Sequence, residues 1–452
     1  MKHAATIILL ICLALTIIGG MIYSNTLNAP FLFDSSARIL DNHNFRISEL
    51  SLDNLKNAAF RKPGSKSRPL TNISFALNYF FHQYDTPGYR IVNIVIHIIN
   101  AILLFLFLHI TLKLSDVKAN PKHFCIIAFL SVLIWFTNPL HIQSVTYIVQ
   151  RANSMAAMFY LLSFYLYVRG RLSGESTRKA LLWFAGAILA WILSIGCKQN
   201  TAMLPFFVFM YEWFFFQELN TVWLRNQLKW LFIAIVVFAI VALLFLGTEP
   251  LERVKSLHAF SKDQFTYTER LLTQPRVVIY YFCLFLFPQP SRLNLDYDYT
   301  LSTSILNPVT TLISILIIAS AIAFVFYSAR KQRLFSFAIL WYFGNHLIES
   351  SIIPLDIIFE HRTYIPSMLI PIMPAVWAFI YIRKSQIAVG LLLLPSIWFS
   401  YWTFERNKVW HDKITFWQDV VNKSPNKARP HFNLGAAYAG IDDEQIAMTH
   451  YR

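Results

Sequence analysis

Apolar runs of close to twenty residues alternate with short polar segments along most of this chain. Ala4 to Tyr23 is the first. Ten more follow at approximately 90–112, 124–140, 145–168, 180–197, 200–217, 229–247, 308–327, 334–353, 365–382 and 386–403. Each is near the ~20 residues that an α-helix needs to cross a bilayer, so about eleven membrane helices are expected. The first run follows Met1-Lys2-His3 but is long for a signal peptide and lacks a clear small-x-small cleavage site, so it reads as a retained helix.

Lysine and arginine orient these spans. Lys113, Lys118 and Lys122, then Arg169, Arg171, Arg178 and Lys179, then Arg225 and Lys229, then Arg330, Lys331 and Arg333, and lastly Arg383 and Lys384 fall in short loops that belong on the cytoplasmic side. Alternation from a cytoplasmic N-terminus satisfies every one of them if the dozen apolar residues within 276–290 do not cross. That length suits a re-entrant or interfacial segment. The outer face then receives a first loop at 24–89, a second long loop at 248–307 and everything after about 404. Within the first loop, the apolar and aromatic stretch Pro69 to Phe81 predicts a helix lying along the surface.

Composition changes the picture little. The chain has 452 residues, of which 56% are apolar and 14% charged, against about 25% charged in a soluble protein. Its formal charge of +15 does not point to nucleic acid, because the basic residues sit in inter-span loops and form no stripe or recognition motif. Cys12, Cys125, Cys197 and Cys283 lie in or beside apolar segments and suggest neither disulfides nor a zinc site.

From Glu405 the chain turns polar. Residues 428–451 read as a tetratricopeptide repeat, with His431, Leu434, Gly435 and Tyr438 in the first-helix pattern and Ala447 and Tyr451 in the second. Gly435 and Ala447 allow two helices to approach while Leu434 and Tyr438 fill the gap. Pro425 and Trp417 fit the end of a preceding repeat. A single repeat cannot bury its own face, so this one either continues into others or docks on the membrane part.

Candidate chemistry gathers on the outer side. Asp34 and Asp41 lie just beyond the first span, where a carboxylate can serve as a general base on a hydroxyl or as a helix cap. Arg68, Lys198 and Arg362 are cations in outer loops, where the inside-positive rule does not place them. They suit a lipid-linked phosphate, and also snorkelling or pairing with Glu360 or Asp356. Arg151, expected two turns inside its span, requires an anion or a polar cavity. His97, His141, Glu360 and His361 are further polar groups in or beside spans, and Asp296 and Asp298 follow the 276–290 segment as acceptor or metal ligands or as solvated turn residues. No glycine-rich phosphate loop, HExxH or nucleophile elbow is present.

In order along nearly the whole chain, Phe33-Asp34, Ile39-Leu40-Asp41-Asn42, Arg68-Pro69-Leu70, Leu77-Asn78-Tyr79, Asn138-Pro139, Gln150-Arg151-Ala152-Asn153, Lys198-Gln199-Asn200, Leu293 to Tyr297 and Glu360 to Ser367 resemble the transmembrane and tetratricopeptide repeat-containing O-mannosyltransferases and their bacterial relatives. The resemblance implies an all-α polytopic GT-C fold, with residues 1–404 as the membrane domain and 405–452 as the start of a repeat region. It implies transfer of a sugar from a polyprenyl or dolichyl phosphate to Ser or Thr of proteins on the outer or lumenal face. Compactness and loop style suggest a bacterial inner membrane with a periplasmic site, and an endoplasmic reticulum location gives the same topology. Asp34 would be the base, with Asp41 the nearest substitute acid. Arg68, Arg151, Lys198 and Arg362 would hold the donor phosphate, and His97, His141, Asp296, Glu360 and His361 would line the substrate site. The partners implied are membrane lipid, the lipid-linked sugar and an acceptor protein held by the repeats. A divalent cation is the only cofactor to consider beyond the donor, without assigned metal ligands. Two departures stand out. The family usually carries a paired acid where this chain has Asp34-Ser35, and a glutamate where it has Gln199. The competing readings are a lipid or glycan flippase or transporter, and an inactive scaffold presenting repeats.

Overall fold

The computed structural model describes residues 2–60, 68–174, 177–246, 265–351, 353 and 355–452. Helices and short helical turns carry the chain throughout, and no strand occurs among the described residues. In order they are α1 (Lys2–Tyr23), α2 (Leu52–Ala59), α3 (Pro69–His82), α4 (Thr86–Leu114), α5 (Phe124–Phe136), α6 (Ile142–Val145), α7 (Arg151–Arg171), α8 (Thr177–Cys197), α9 (Leu204–Tyr211), α10 (Thr221–Leu246), α11 (Tyr267–Leu286), α12 (Thr310–Ser328), α13 (Arg333–His346), α14 (Ile372–Tyr381), α15 (Ser385–Asn407), α16 (Lys413–Lys423), α17 (Ala428–Ala439) and α18 (Glu444–Tyr451).

Five helices among the described residues, α1, α4, α8, α12 and α15, are long and apolar enough to cross a membrane. They expose large apolar side chains outward, such as Leu9, Leu13, Leu181, Ile192, Phe326 and Ile397. A contiguous apolar exterior of this kind is stable against lipid and not against water. The chain is a multi-pass membrane protein.

The expectation of about eleven straight spans meets a more broken bundle. The run at 124–140 bends by 57° between α5 and α6, and counts as a sixth crossing only if the pair is one span. Asn138 and Pro139 make the bend: the Asn138 side chain accepts the Leu140 N–H at 3.0 Å and donates to the Phe285 carbonyl at 3.0 Å. The run at 200–217 divides into a 3-10 turn, α9 and a π-turn around Pro205. Proline likewise opens the short turn Pro366–Leu369 ahead of α14. The expected span 229–247 falls on α10, where most side chains from 231 onward lie outside the described residues.

Of residues 276–290, those up to Leu286 form the second half of the 20-residue α11, and Pro290 opens a separate short turn, Pro290–Arg292. The helix starts earlier than apolarity alone suggests because Thr266 and Glu269 form a capping box. The part of the expected 248–307 loop at 248–264 lies outside the described residues.

An aromatic core joins the helices, with Trp135, Trp341, Tyr160, Tyr211 and Phe164 fully buried. Buried arginines tie loops to it. Arg90 of α4 donates to the carbonyls of Ala29, Pro30 and Thr146 at 2.8 to 3.2 Å, which fixes the chain just before the acidic loop. Arg270 of α11 donates to the carbonyls of Glu349, Ser351 and Leu355, anchoring the segment after α13.

At the C-terminal end α17 and α18 pack as a tight helical hairpin. A Cβ on Gly435 would lie 2.7 Å from the Tyr451 ring and 3.1 Å from the Ala447 carbonyl, so glycine sets the approach. Leu434 is fully buried beneath it.

Candidate functional site

The acidic loop turns sharply at Phe33, whose φ of 50° lies in the left-handed region. Backbone bonds from Ser35 to Leu32 and from Ser36 to Phe33 close the turn, each at 3.0 Å. The Asp34 N–H donates to Tyr147 Oη at 3.1 Å. Its carboxylate is 38% exposed and 3.6 Å from the Arg38 guanidinium. The backbone of Asp34 is therefore held while its carboxylate faces outward. Ser35, at the position where a second acid was expected, is buried, and its Oγ accepts the Val149 N–H at 3.2 Å. Asp41 is exposed at the end of the π-turn Ser36–Leu40.

Arg38, the partner of Asp34, also lines a cleft with Phe45, Arg68, Thr71, Asn72, Phe75, Val149 and Ala152. Arg68 stands at the N-terminal edge of α3, where Pro69 starts the helix. Burial and the neighbouring Arg38 charge lower the pKa of Arg68, while Glu349 and Asp34 oppose them. An anion entering the cleft would relieve that repulsion. Arg38 belongs to the site although it was not singled out in the sequence; its signal was its place four residues after Asp34.

Lys198 leaves the end of α8 and meets Glu349, with Nζ to Oε1 at 2.7 Å. Asn153 Oδ1 accepts from the same ammonium at 2.9 Å, and Asn200 donates to the other Glu349 oxygen at 3.2 Å. Asn153 also donates to the His361 carbonyl at 2.7 Å, joining this cluster to the turn Glu360–Thr363. His361 is buried, and burial first, then the charges of Lys198, Arg362, Arg68 and Arg38, push its pKa well below the usual imidazole range. Positive charge from four segments thus bears on one buried imidazole. Glu349 was the unread member. A buried acid at the end of an apolar run was its signal.

Other expected site residues are placed differently. Arg151 begins α7, so it is not two turns inside a span. Its guanidinium donates to Asn93, Ser74 and the Tyr89 carbonyl at 2.7 to 3.4 Å and lies over the Phe75 ring at 4.6 Å. It braces α3 and α4 against α7. His97 bonds Tyr364 Oη at 2.6 Å and the Phe136 carbonyl at 3.0 Å, deep in the aromatic core. His141 packs against His97 and Trp135, with ring centroids at 6.3 and 4.8 Å. These two histidines share the aromatic core and not the cationic cleft. Arg362 donates to the Asp356 and Ile357 carbonyls.

Glu360 and Asp296 belong to a polar layer beneath the C-terminal helices. Glu360 Oε1 accepts the Asn294 N–H and the Tyr297 hydroxyl, both at 2.7 Å, and burial pushes its pKa up to about 7. Asp296 pairs with Lys427 at 2.9 Å and Arg429 at 2.6 Å. Burial works to raise its pKa, but the bonds from Arg429 and Lys427 outweigh it and hold the carboxyl below the usual range. Asp296 therefore docks the tail. Among the described residues no group of three or more His, Cys, Asp or Glu is placed to hold a metal ion.

The chain is 26% identical over 214 residues to the human protein O-mannosyl-transferase TMTC3, covering 45% of this chain and 22% of that protein. It is 28% identical over 169 residues to the Caenorhabditis elegans protein O-mannosyl-transferase F38B6.6, covering 36% and 23%. The human protein O-mannosyl-transferase TMTC2 is 26% identical over 230 residues, covering 48% and 26%. The chain is thus similar to part of several protein O-mannosyl-transferases. It spans 22% to 26% of the length of these three relatives. No protein-family model and no solved structure matches it.

Proposed function

We propose that this chain is a membrane protein O-glycosyltransferase of the GT-C class, moving a sugar from a polyprenyl-phosphate donor to Ser or Thr hydroxyls on the outer face of a bacterial inner membrane. Mannose is the first sugar to test, since the similar proteins are named for it. The observation that carries the reading is the outward-facing Asp34 carboxylate paired with Arg38, which lines a cleft with Arg68. An acid within reach of a cationic pocket matches a reaction in which a hydroxyl loses its proton as a phosphate leaves.

In this reaction the acceptor oxygen attacks the anomeric carbon of the bound sugar. The bond from that carbon to the phosphate oxygen breaks, and its electron pair leaves on the lipid phosphate. Asp34 takes the hydroxyl proton. Arg38 and Arg68 stabilise the negative charge that gathers on the departing phosphate, with Lys198 and Arg362 behind them. Bidentate guanidinium contacts suit this task better than single ammonium charges. Ser35 packs into the protein, so Asp34 acts alone on the cleft side. The helical hairpin at the C-terminal end, read as a tetratricopeptide repeat, would present acceptor protein.

The test is sugar transfer by the purified protein in detergent, given polyprenyl-phosphate sugars and Ser/Thr peptides, beside Asp34→Asn. Transfer that the substitution abolishes supports donor class and base together. Normal transfer by correctly folded Asp34→Asn would remove Asp34 from the mechanism. Protein that binds a polyprenyl phosphate but never transfers its sugar would point instead to a flippase or a scaffold.

A further inference from the structure

A non-glycine residue in the left-handed region persists only where its surroundings hold it. Phe33 is such a residue, with φ at 50°, and Asp34 follows it directly. Three groups enclose its ring. Tyr147 stacks on it with centroids 6.2 Å apart, Trp417 of α16 meets it edge-on at 5.6 Å, and the Arg429 guanidinium of α17 lies 5.6 Å from the ring centroid. Tyr147 also accepts the Asp34 N–H, so one side of the enclosure fixes base and ring together.

Two of the three groups come from the C-terminal helices. Arg429 is itself fixed there: Nε lies 2.6 Å from Asp296, and its other nitrogens reach Asp356 at 3.4 Å. Lys427 occupies the second Asp296 oxygen at 2.9 Å. Ser424 Oγ donates to the Asp296 carbonyl at 2.6 Å and accepts the Asp298 N–H at 3.0 Å, locking the connection between α16 and α17. A continuous set of contacts therefore runs from Asp356 and Asp296 through Arg429 to Phe33 and on to Asp34.

We propose that Arg429 is a positioning residue for the reaction, holding the Phe33 ring and through it the orientation of the Asp34 carboxylate. The inference rests on the reading of Asp34 as the base. It makes the tail part of the catalytic unit, beyond any role in holding acceptor protein.

The experiment compares full-chain Arg429→Met, Phe33→Leu and the double variant with the unsubstituted protein and Asp34→Asn, measuring kcat and the donor KM separately. Loss of orientation without loss of donor binding lowers kcat while KM holds. Each single substitution is expected to lower kcat by at least about tenfold, since misplacement by ~1 Å is enough for about a hundredfold. Donor KM should stay within about twofold, because the cleft cations are untouched. The double variant should be no worse than the poorer single one, because both break the same brace.

Unchanged kcat in Phe33→Leu and Arg429→Met beside an inactive Asp34→Asn would overturn this proposal alone. So would losses that multiply in the double variant, or a loss confined to donor KM. Should Arg429→Met fail to fold, Phe33→Leu leaves the Asp296 ion cluster intact and decides the matter. Unsubstituted protein that transfers nothing, or fully active Asp34→Asn, would overturn the parent reading and this inference with it.

Discussion

The ammonium of Lys198 and the carboxylate of Glu349 meet at 2.7 Å with 7% of each side chain exposed, joining the end of α8 to the segment after α13. Removing one partner of a buried pair leaves an uncompensated charge. Glu349→Gln is expected to destabilise by about 3–5 kcal/mol, and the Lys198→Met/Glu349→Leu double substitution by much less. Thermal unfolding of the purified protein in detergent measures both. A double variant as unstable as the single would show that the pair does more than cancel charge.

Asp34 predicts the opposite balance. Its ion pair with Arg38 is long and half-exposed, so Asp34→Asn should change stability by less than about 1 kcal/mol. Removal of a general base should lower the transfer rate by roughly 10²- to 10⁴-fold. Melting temperature and turnover measured on one preparation separate the two.

Glu360 makes stability pH-dependent. Its pKa is raised from 4.5 to about 7, with burial as the leading cause. The folded state thus favours the protonated acid, and the unfolded chain releases the proton at lower pH. Stability from this group is fully present below about pH 4.5 and is lost as pH rises through about 7. Glu360→Gln should flatten that part of the stability curve between about pH 5 and pH 8. Melting temperatures across that interval give the answer, and an unchanged slope would assign the dependence elsewhere.

Gly435 sets the spacing of α17 and α18. Gly435→Val places carbon where the Tyr451 ring and the Ala447 carbonyl already stand. Overpacking of this kind typically costs about 1–3 kcal/mol. Because the clash is local to the hairpin, limited proteolysis should cleave within 428–452 sooner while the helices before it stay protected. Equal cleavage rates would mean the hairpin relaxes around the added methyls.

Much of the fold and some of the site were legible from local pattern. A run of apolar residues makes a helix wherever it lies, and proline at a first turn starts one, so α1, α3, α4, α8 and α15 follow from the chain read in order. The same holds for Asp34 and Arg68, which flank helices that the pattern locates, and for the close approach at Gly435. Apolarity does not reveal where a run breaks. At 124–140 and 200–217 a twenty-residue window averages over Asn138, Pro139 and Pro205, whose effect is on one hydrogen bond and not on hydropathy.

Partnership between distant residues is a different kind of information. A charge in an apolar setting announces that it needs a partner, because burying it alone is costly, but any acid elsewhere in the chain can answer. Packing chose Glu349 for Lys198, carbonyls and amides for Arg151, and the tail's Lys427 and Arg429 for Asp296. It also brought Arg429 over Phe33 and so put the C-terminal helices beside Asp34. Helix type and the need for compensation come from near neighbours in sequence. The identity of the compensating group comes from which distant surfaces the folded chain presses together.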